Sequence, residues 1–232
     1  RARPGWSYGG ESLVRRTRFL SETLALMMEA VSPEKFLYAV RISAFEGIPG
    51  GFGSRSPESA EEDVSFSEFC ALAMLLEAAD VGLVNQSSGV PELTPHLVRQ
   101  TNDAPEGFHH HQERAALIRR TIAVPVVGSA YSYARDGRNR LPGNDPRKKS
   151  VVHLGGRAVR EERVDFVGIG RQSLADPGFA KKLLGNRADE IRWDDSCNRC
   201  ASSLRSGIPA GCVTHDPYYR DLFRKMRRAT RS

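Results

Sequence analysis

Three cysteines and a histidine crowd one short segment, spaced as Cys197-x2-Cys200-x11-Cys212-x2-His215. Thiolates and an imidazole at such spacing suit a Cys3His zinc site, and free thiols in a loop are the alternative reading. The remaining cysteine, Cys70, stands alone in an apolar run, so the set is no disulfide framework and suits a reducing, cytoplasmic compartment. A second outlier is Arg41, set inside the apolar run F-L-Y-A-V-R-I-S from Phe36 to Ser43. A guanidinium there is costly unless it is paired or aimed into a site. It therefore either faces a ligand or makes an ion pair, with Glu46 or Asp165 as candidate partners. Two glycine-containing turns, Gly128-Ser129 and Gly170-Arg171, would cradle a phosphate with backbone N–H groups. The plainer alternative is that the glycines permit tight turns and that Arg171 caps a helix or pairs with Asp176. His109, His110 and His111 read as a surface cluster in a loop before a helix.

These residues need elements to position them. Apolar residues at Leu13, Leu20, Leu24, Met27 and Val31 predict an amphipathic helix from Ser12 to Val31, ended by Ser32-Pro33. Short apolar runs predict strands at 36–43, 81–85, 123–128 and 164–168. Being apolar almost throughout, they are expected to be covered on both faces. Between them, helices are predicted from Ser65, with Glu68 completing a capping box and Val64 and Phe69 a staple, near Gln112 to Arg120, and around Arg157 to Glu162. A short helix at Phe179 to Leu184 follows the last strand. The alternation implies an α/β chain with a parallel sheet, whose ligand site lies at the carboxyl ends of the strands. Those ends carry Arg41 with Ser43, Asn85 to Gly89, Gly128 to Ser132, and Gly168 to Arg171.

With 232 residues, 40% hydrophobic and 27% charged, the chain is ordinary for a globular protein and too apolar for a disordered one. The formal charge of +6 would suit a phosphorylated ligand or nucleic acid without requiring either. No interleaved aromatic and basic pattern supports base stacking, so no nucleic-acid partner is expected. Glu77 and Asp80 interrupt the best apolar run, which excludes a helical membrane span. A basic insertion from Arg135 to Ser150 reads as a solvated segment, and a basic tail from Arg220 to Ser232 as a frayed terminal helix packed against the body of the protein, with contact to a membrane surface or nucleic acid as the alternative. The insertion's alternative role is to reach a nicotinamide phosphate or a CoA.

Y-G-G-E-S-L-V-R-R-T-R-F, from Tyr8 to Phe19, resembles a signature of the old yellow enzyme family of FMN-dependent NAD(P)H oxidoreductases, with one extra residue and Arg where Asn is usual. The resemblance continues through Val40 to Ala44, Val124 to Ser132, Val167 to Pro177, and Cys197 to Cys200, in the family's order. It implies a TIM (βα)8 barrel, here a partial one whose four strands correspond to the fifth to eighth. By that analogy Arg41 lies beside the flavin, where its charge favours the anionic reduced ring, and Gly128, Ser129, Gly170 and Arg171 hold the FMN phosphate. The implied reaction passes hydride from NAD(P)H through the flavin to an activated alkene, such as an enone or enoyl thioester.

The departures also carry expectations. The family's substrate-gripping His pair precedes the Tyr8 motif, and only seven residues do so here. The chain starts at Arg1, so it is expected to begin inside a longer protein and to show weak turnover alone. Its partners would be a small-molecule substrate and either the missing N-terminal barrel half or another copy of itself. Residues 1–193 are read as the half barrel and 194–232 as a cysteine-bearing tail. Relatives of the dienoyl-CoA reductase type bind an iron–sulfur centre through four cysteines, with Cys where Asp194 stands here, so the chain falls short of that set. A non-catalytic flavin- or phosphate-binding interaction module is the alternative function.

Overall fold

The computed structural model describes residues 8–10, 12–56, 58–63, 65–100 and 105–229. It divides into two compact units. The first comprises Arg1–Arg99, Glu106–Ser129 and Gly155–Gly168; the second comprises Gln100–Pro105, Ala130–Leu154 and Ile169–Ser232. The elements run α1 (Leu13–Ala30), β1 (Ala39–Ser43), α2 (Ser67–Ala78), β2 (Leu83–Ser87), α3 (Pro95–Val98), α4 (Gly107–Thr121), β3 (Val126–Gly128), α5 (Val151–Arg160), β4 (Phe166–Val167), α6 (Arg171–Ala175), α7 (Phe179–Leu184), α8 (Arg199–Arg205) and α9 (Pro217–Ala229).

All four strands belong to the first unit and form one parallel sheet in the order β1-β2-β3-β4. Register places Arg41 opposite Asn85, Asn85 opposite Val127, and Val127 opposite Phe166. Because side chains alternate along a strand, these four share one face, and Ile42, Val84 and Val126 point the other way. Ile42, Val84 and Val126 join Leu24 of α1, Phe69, Leu72 and Leu76 of α2, and Ile118 of α4 in one buried core. Burying each such side chain contributes roughly 1.5–3 kcal/mol. The Arg41 face contains no fully buried member of that row: Arg41 and Phe166 are exposed, Asn85 and Val127 partly so. The expectation of strands covered on both faces is therefore corrected, since the helices that build the core all contribute to the Ile42 side.

Element boundaries moved for local reasons. Strand β1 starts at Ala39 rather than Phe36: the Tyr38 hydroxyl lies 2.7 Å from the Met27 carbonyl and 2.6 Å from that of Val31, pinning the chain to the end of α1. Helix α1 opens at the predicted Ser12, whose Oγ accepts from the Arg15 N–H. The capping box at Ser65 does not form. The Ser65 hydroxyl is taken by the Asp63 carboxylate, Phe66 turns the chain in the left-handed region at φ 50°, and α2 begins at Ser67. Glu68 pairs instead with Arg16, and Val64, the other half of the predicted staple, lies outside the described residues. Helix α4 starts five residues earlier than predicted and takes His109, His110 and His111 out of the expected loop. Helix α5 likewise starts early, with Ser150 Oγ accepting from the His153 N–H in the manner of an N-cap.

In the second unit the basic insertion folds back on itself. Lys149 Nζ donates to the carbonyls of Asn139 and Leu141, both at 3.1 Å. Arg138 and Arg147 pair with Asp136 and Asp145 at the surface, in keeping with a solvated segment. Helix α7 spans the predicted residues. Among the described residues no helix is long and apolar enough to cross a membrane.

Candidate functional site

The carboxyl ends of β1, β2 and β3 carry a connected polar group in the first unit. Arg41 Nη2 donates to Ser87 Oγ at 2.9 Å. Neither predicted carboxylate meets it. Glu46 accepts from the Phe52 N–H, and Asp165 accepts from the Val126 N–H while pairing with Arg119. Among the described residues Arg41 makes no salt bridge, and partial desolvation lowers its pKa from the ordinary arginine value. It thus stands on the uncovered sheet face as a fixed cation oriented by a hydroxyl. Ser129 Oγ lies 2.5 Å from the Gln86 carbonyl and 3.1 Å from Asn85 Oδ1, and Gln112 Nε2 donates to the Ser129 carbonyl. These bonds tie the β3 end to β2. The β4 end comes close to that of β3: a Cβ on Gly168 would sit 2.7 Å from the Gly128 carbonyl, so Gly168 serves a near approach of backbones.

Behind this row lies a buried network that the sequence reading missed. His111, expected at the surface, is buried, and its Nε2–H donates to the Leu97 carbonyl at 2.8 Å. Its Nδ1 faces Gln86 Oε1 at 3.3 Å. Burial pushes its pKa down to about 4, so the ring is neutral at pH 7. Arg114, one turn further along α4, is buried too, pairing with Glu62 at 2.5 Å and donating to Ser88 Oγ at 3.0 Å. The signal was available: His111 and Arg114 occupy the same helical stripe as the buried Ala115 and Ile118. His109 and His110 are exposed, as expected.

Gly170 and Arg171 belong to the second unit. The Gly170 N–H donates to Ser132 Oγ at 3.1 Å, and space beside its Cα is open for 4 Å in the direction of a Cβ. The Arg171 guanidinium bonds Asn198 Oδ1 at 2.6 Å and the Gln100 carbonyl at 3.0 Å, and its Nε lies 3.8 Å from Asp194 Oδ2. Asp176, the predicted partner, is instead paired with Lys182 at 2.6 Å and accepts from the Arg192 N–H. Burial raises the pKa of Asp194, and Arg171 opposes the rise.

The predicted metal ligands all lie in the second unit. Among the described residues no three His, Cys, Asp or Glu side chains gather to hold an ion. His215 Nε2 is spent on the Trp193 carbonyl at 2.8 Å, and the Cys212 sulfur accepts from the His215 N–H at 3.4 Å. Burial pushes the pKa values of the Cys197 and Cys200 thiols up. The described residues therefore give no support to the expected site at Cys197, Cys200, Cys212 and His215.

A parallel sheet of βα units with its polar residues at the strand ends defines an α/β chain of the TIM-barrel type, here a partial barrel. No family model matches the chain. An NADH oxidase of Thermoanaerobacter brockii is 30% identical over 191 residues, 82% of this chain and 24% of that protein. A dimethylamine dehydrogenase of a Hyphomicrobium strain is 26% identical over 210 residues, 89% of this chain and 24% of its own length. The solved structure of a 2-naphthoyl-CoA reductase superposes with a TM-score of 0.66 at 23% identity, over 92% of this chain and 28% of that one. Over its matched length the chain is thus similar to oxidoreductases and shares the fold of the reductase structure. It spans about a quarter of the length of the curated relatives it matches.

Proposed function

We propose that the chain is the flavin-holding part of an FMN-dependent NAD(P)H oxidoreductase of the ene-reductase type, with residues 1–193 as the barrel half and 194–232 as its tail. The observation that carries this reading is Arg41: a guanidinium on the uncovered sheet face, oriented by Ser87 Oγ and without a salt bridge among the described residues. A fixed positive charge of that kind suits a ring that becomes anionic on reduction. In the same unit Gly128 and Ser129 supply a strand end whose conformation is held by Asn85 and Gln86. The resemblance assigns Gly170 and Arg171 to the FMN phosphate. Since the Arg171 side chain is occupied by Asn198, Gln100 and Asp194, the role left to that residue is its main-chain N–H.

The chemistry such a cofactor supplies when bound is relay of hydride from NAD(P)H to an activated alkene. The chain's own part is to orient the ring through Arg41. The name of the T. brockii relative supports a nicotinamide reductant. Four free cysteines suit a reducing cytoplasm. The uncovered face and the exposed outer strands β1 and β4 suit completion by an N-terminal barrel half or by a second copy. The test is titration of FMN with the purified chain, followed by quenching of flavin fluorescence. The wild-type chain should bind FMN, Arg41→Ala should weaken binding at least tenfold, and reduction of 2-cyclohexenone by the chain alone should be weak or absent. No FMN binding by the wild-type chain, or binding indifferent to Arg41, overturns the reading.

A further inference from the structure

The buried network behind Arg41 contains a chain of contacts with an acceptor at each end. The Leu97 carbonyl lies 2.8 Å from His111 Nε2, His111 Nδ1 lies 3.3 Å from Gln86 Oε1, and Gln86 Nε2 lies 2.9 Å from the Ser87 carbonyl. A carbonyl oxygen only accepts, so the first contact needs a proton on Nε2 and the third needs the amide NH2 on the Ser87 side. The amide oxygen then faces Nδ1, and the middle contact needs a second ring proton. A neutral imidazole has only one. Reversing the amide satisfies Nδ1 but sets Oε1 against the Ser87 carbonyl, so with a neutral ring one contact of the chain is always unmet. Bulk solvent does not relieve it, because Gln86, Ser87 and His111 are all buried. Only the imidazolium closes the chain. Burial opposes that form, as do the charges of Arg114 and His110 on α4 and of Arg41 on β1, while Glu62 answers Arg114 at 2.5 Å.

The far end of the chain reaches Arg41. The Ser87 carbonyl also accepts from the Ala44 N–H, just past the end of β1, at 2.8 Å, and the Ser87 hydroxyl accepts from Arg41 Nη2 at 2.9 Å. We propose that Gln86 is a positioning residue that transmits the protonation state of His111 to Arg41 through Ser87. Without the second ring proton the Gln86 amide divides between two orientations, each leaving one contact unmet, and its hold on Ser87 is partial. With that proton the amide is committed to the Ser87 carbonyl, and the hydroxyl that orients Arg41 is fixed. The relay stands on contacts within the first unit; its consequence for a flavin rests on the reading of Arg41 given above. On that reading, a proton taken up behind Arg41 strengthens the preference of the site for an anionic ring.

The experiment is nuclear magnetic resonance of the full chain carrying nitrogen-15 in its histidines and arginines, without FMN. Expected are a His111 ring with its single proton on Nε2 at pH 7, and an Arg41 Nε–H signal that shifts together with the His111 ring as pH is lowered from 7.5 to 4, folding being followed by circular dichroism. Gln86→Met, which keeps the length of the side chain and removes its amide, should move the Arg41 signal toward that of free arginine at pH 7 and abolish its link to His111. A direct effect of the His111 charge on Arg41 survives that substitution, so persistence of the link overturns the proposal. So does an Arg41 signal at pH 7 that is the same in the wild type and in Gln86→Met, a result that decides the matter even if acid unfolds the chain before His111 titrates. In His111→Gln the Arg41 signal should no longer respond to pH over this range, and an unchanged response also overturns the relay. With FMN added, Gln86→Met should weaken binding severalfold, less than Arg41→Ala does. Failure of the wild-type chain to bind FMN overturns the flavin reading alone, and the Arg41 signal still judges the relay.

Discussion

Arg171 and Asp194 are each other's counter-ions inside the second unit, with Nε 3.8 Å from Oδ2 and only 13% and 9% of the two side chains exposed. The aspartate occupies the position where the resemblance implies cysteine in iron–sulfur-bearing relatives. Its carboxylate neutralises a guanidinium that also holds Asn198 and the Gln100 carbonyl. The pair thus does structural work in a segment that spacing alone assigns to a metal.

Asp194→Asn should therefore destabilise the protein, because it leaves the Arg171 charge largely buried without its counter-ion. Breaking a close buried pair costs about 3–5 kcal/mol, and the long separation here reduces the expected loss to about 2 kcal/mol. Urea unfolding at pH 7 measures it. A loss below about 0.5 kcal/mol would show that the pair carries no weight.

Stability should fall in mild acid through His111. Unfolded, its imidazole takes up a proton as pH drops through its ordinary value of 6.5; folded, it waits until about 4. Between those values the unfolded state binds more protons, so stability rises with pH and is lost as pH falls across that window. The whole span amounts to about 3 kcal/mol. His111→Gln should lower stability at neutral pH by removing the fit to Leu97 and Gln86, and should flatten this slope. Denaturation midpoints at pH 7, 6 and 5 for both proteins decide it; equal slopes would refute the assignment.

Gly168→Ala should destabilise by about 1–3 kcal/mol, since the added methyl meets the Gly128 carbonyl rather than a flexible side chain. Thermal melting of the variant reports this, and an unchanged midpoint would mean that β3 and β4 separate freely.

Ala130 lies in the left-handed region at φ 74° and ψ −6°, a conformation costing an L-residue about 1–2 kcal/mol. Ala130→Gly should recover part of that cost, and the added freedom of the unfolded chain should offset about 0.5–1 kcal/mol. A small gain in unfolding midpoint is expected. A clear loss would mean that the methyl group makes contacts worth more than the strain.

The alternation of apolar runs, the oddity of Arg41 within one of them and the motifs from Tyr8 to Cys200 were readable in the residues, because they depend on local periodicity and on residue type. They led to the parallel sheet and the four strands in order. Partner choice was decided only by the tertiary structure. Nothing in the spacing says that Arg171 takes Asp194 while Asp176 takes Lys182, or that Ser65 answers to Asp63 instead of capping α2. Nor does spacing reveal that His111 turns inward to Leu97 while its two neighbours stay in water. A charged or polar side chain settles on whichever partner the fold brings within about 3 Å when water is removed, and that depends on where distant segments meet. The cysteines show the same limit: their spacing permits a zinc tetrahedron, but the backbone places His215 on the Trp193 carbonyl instead.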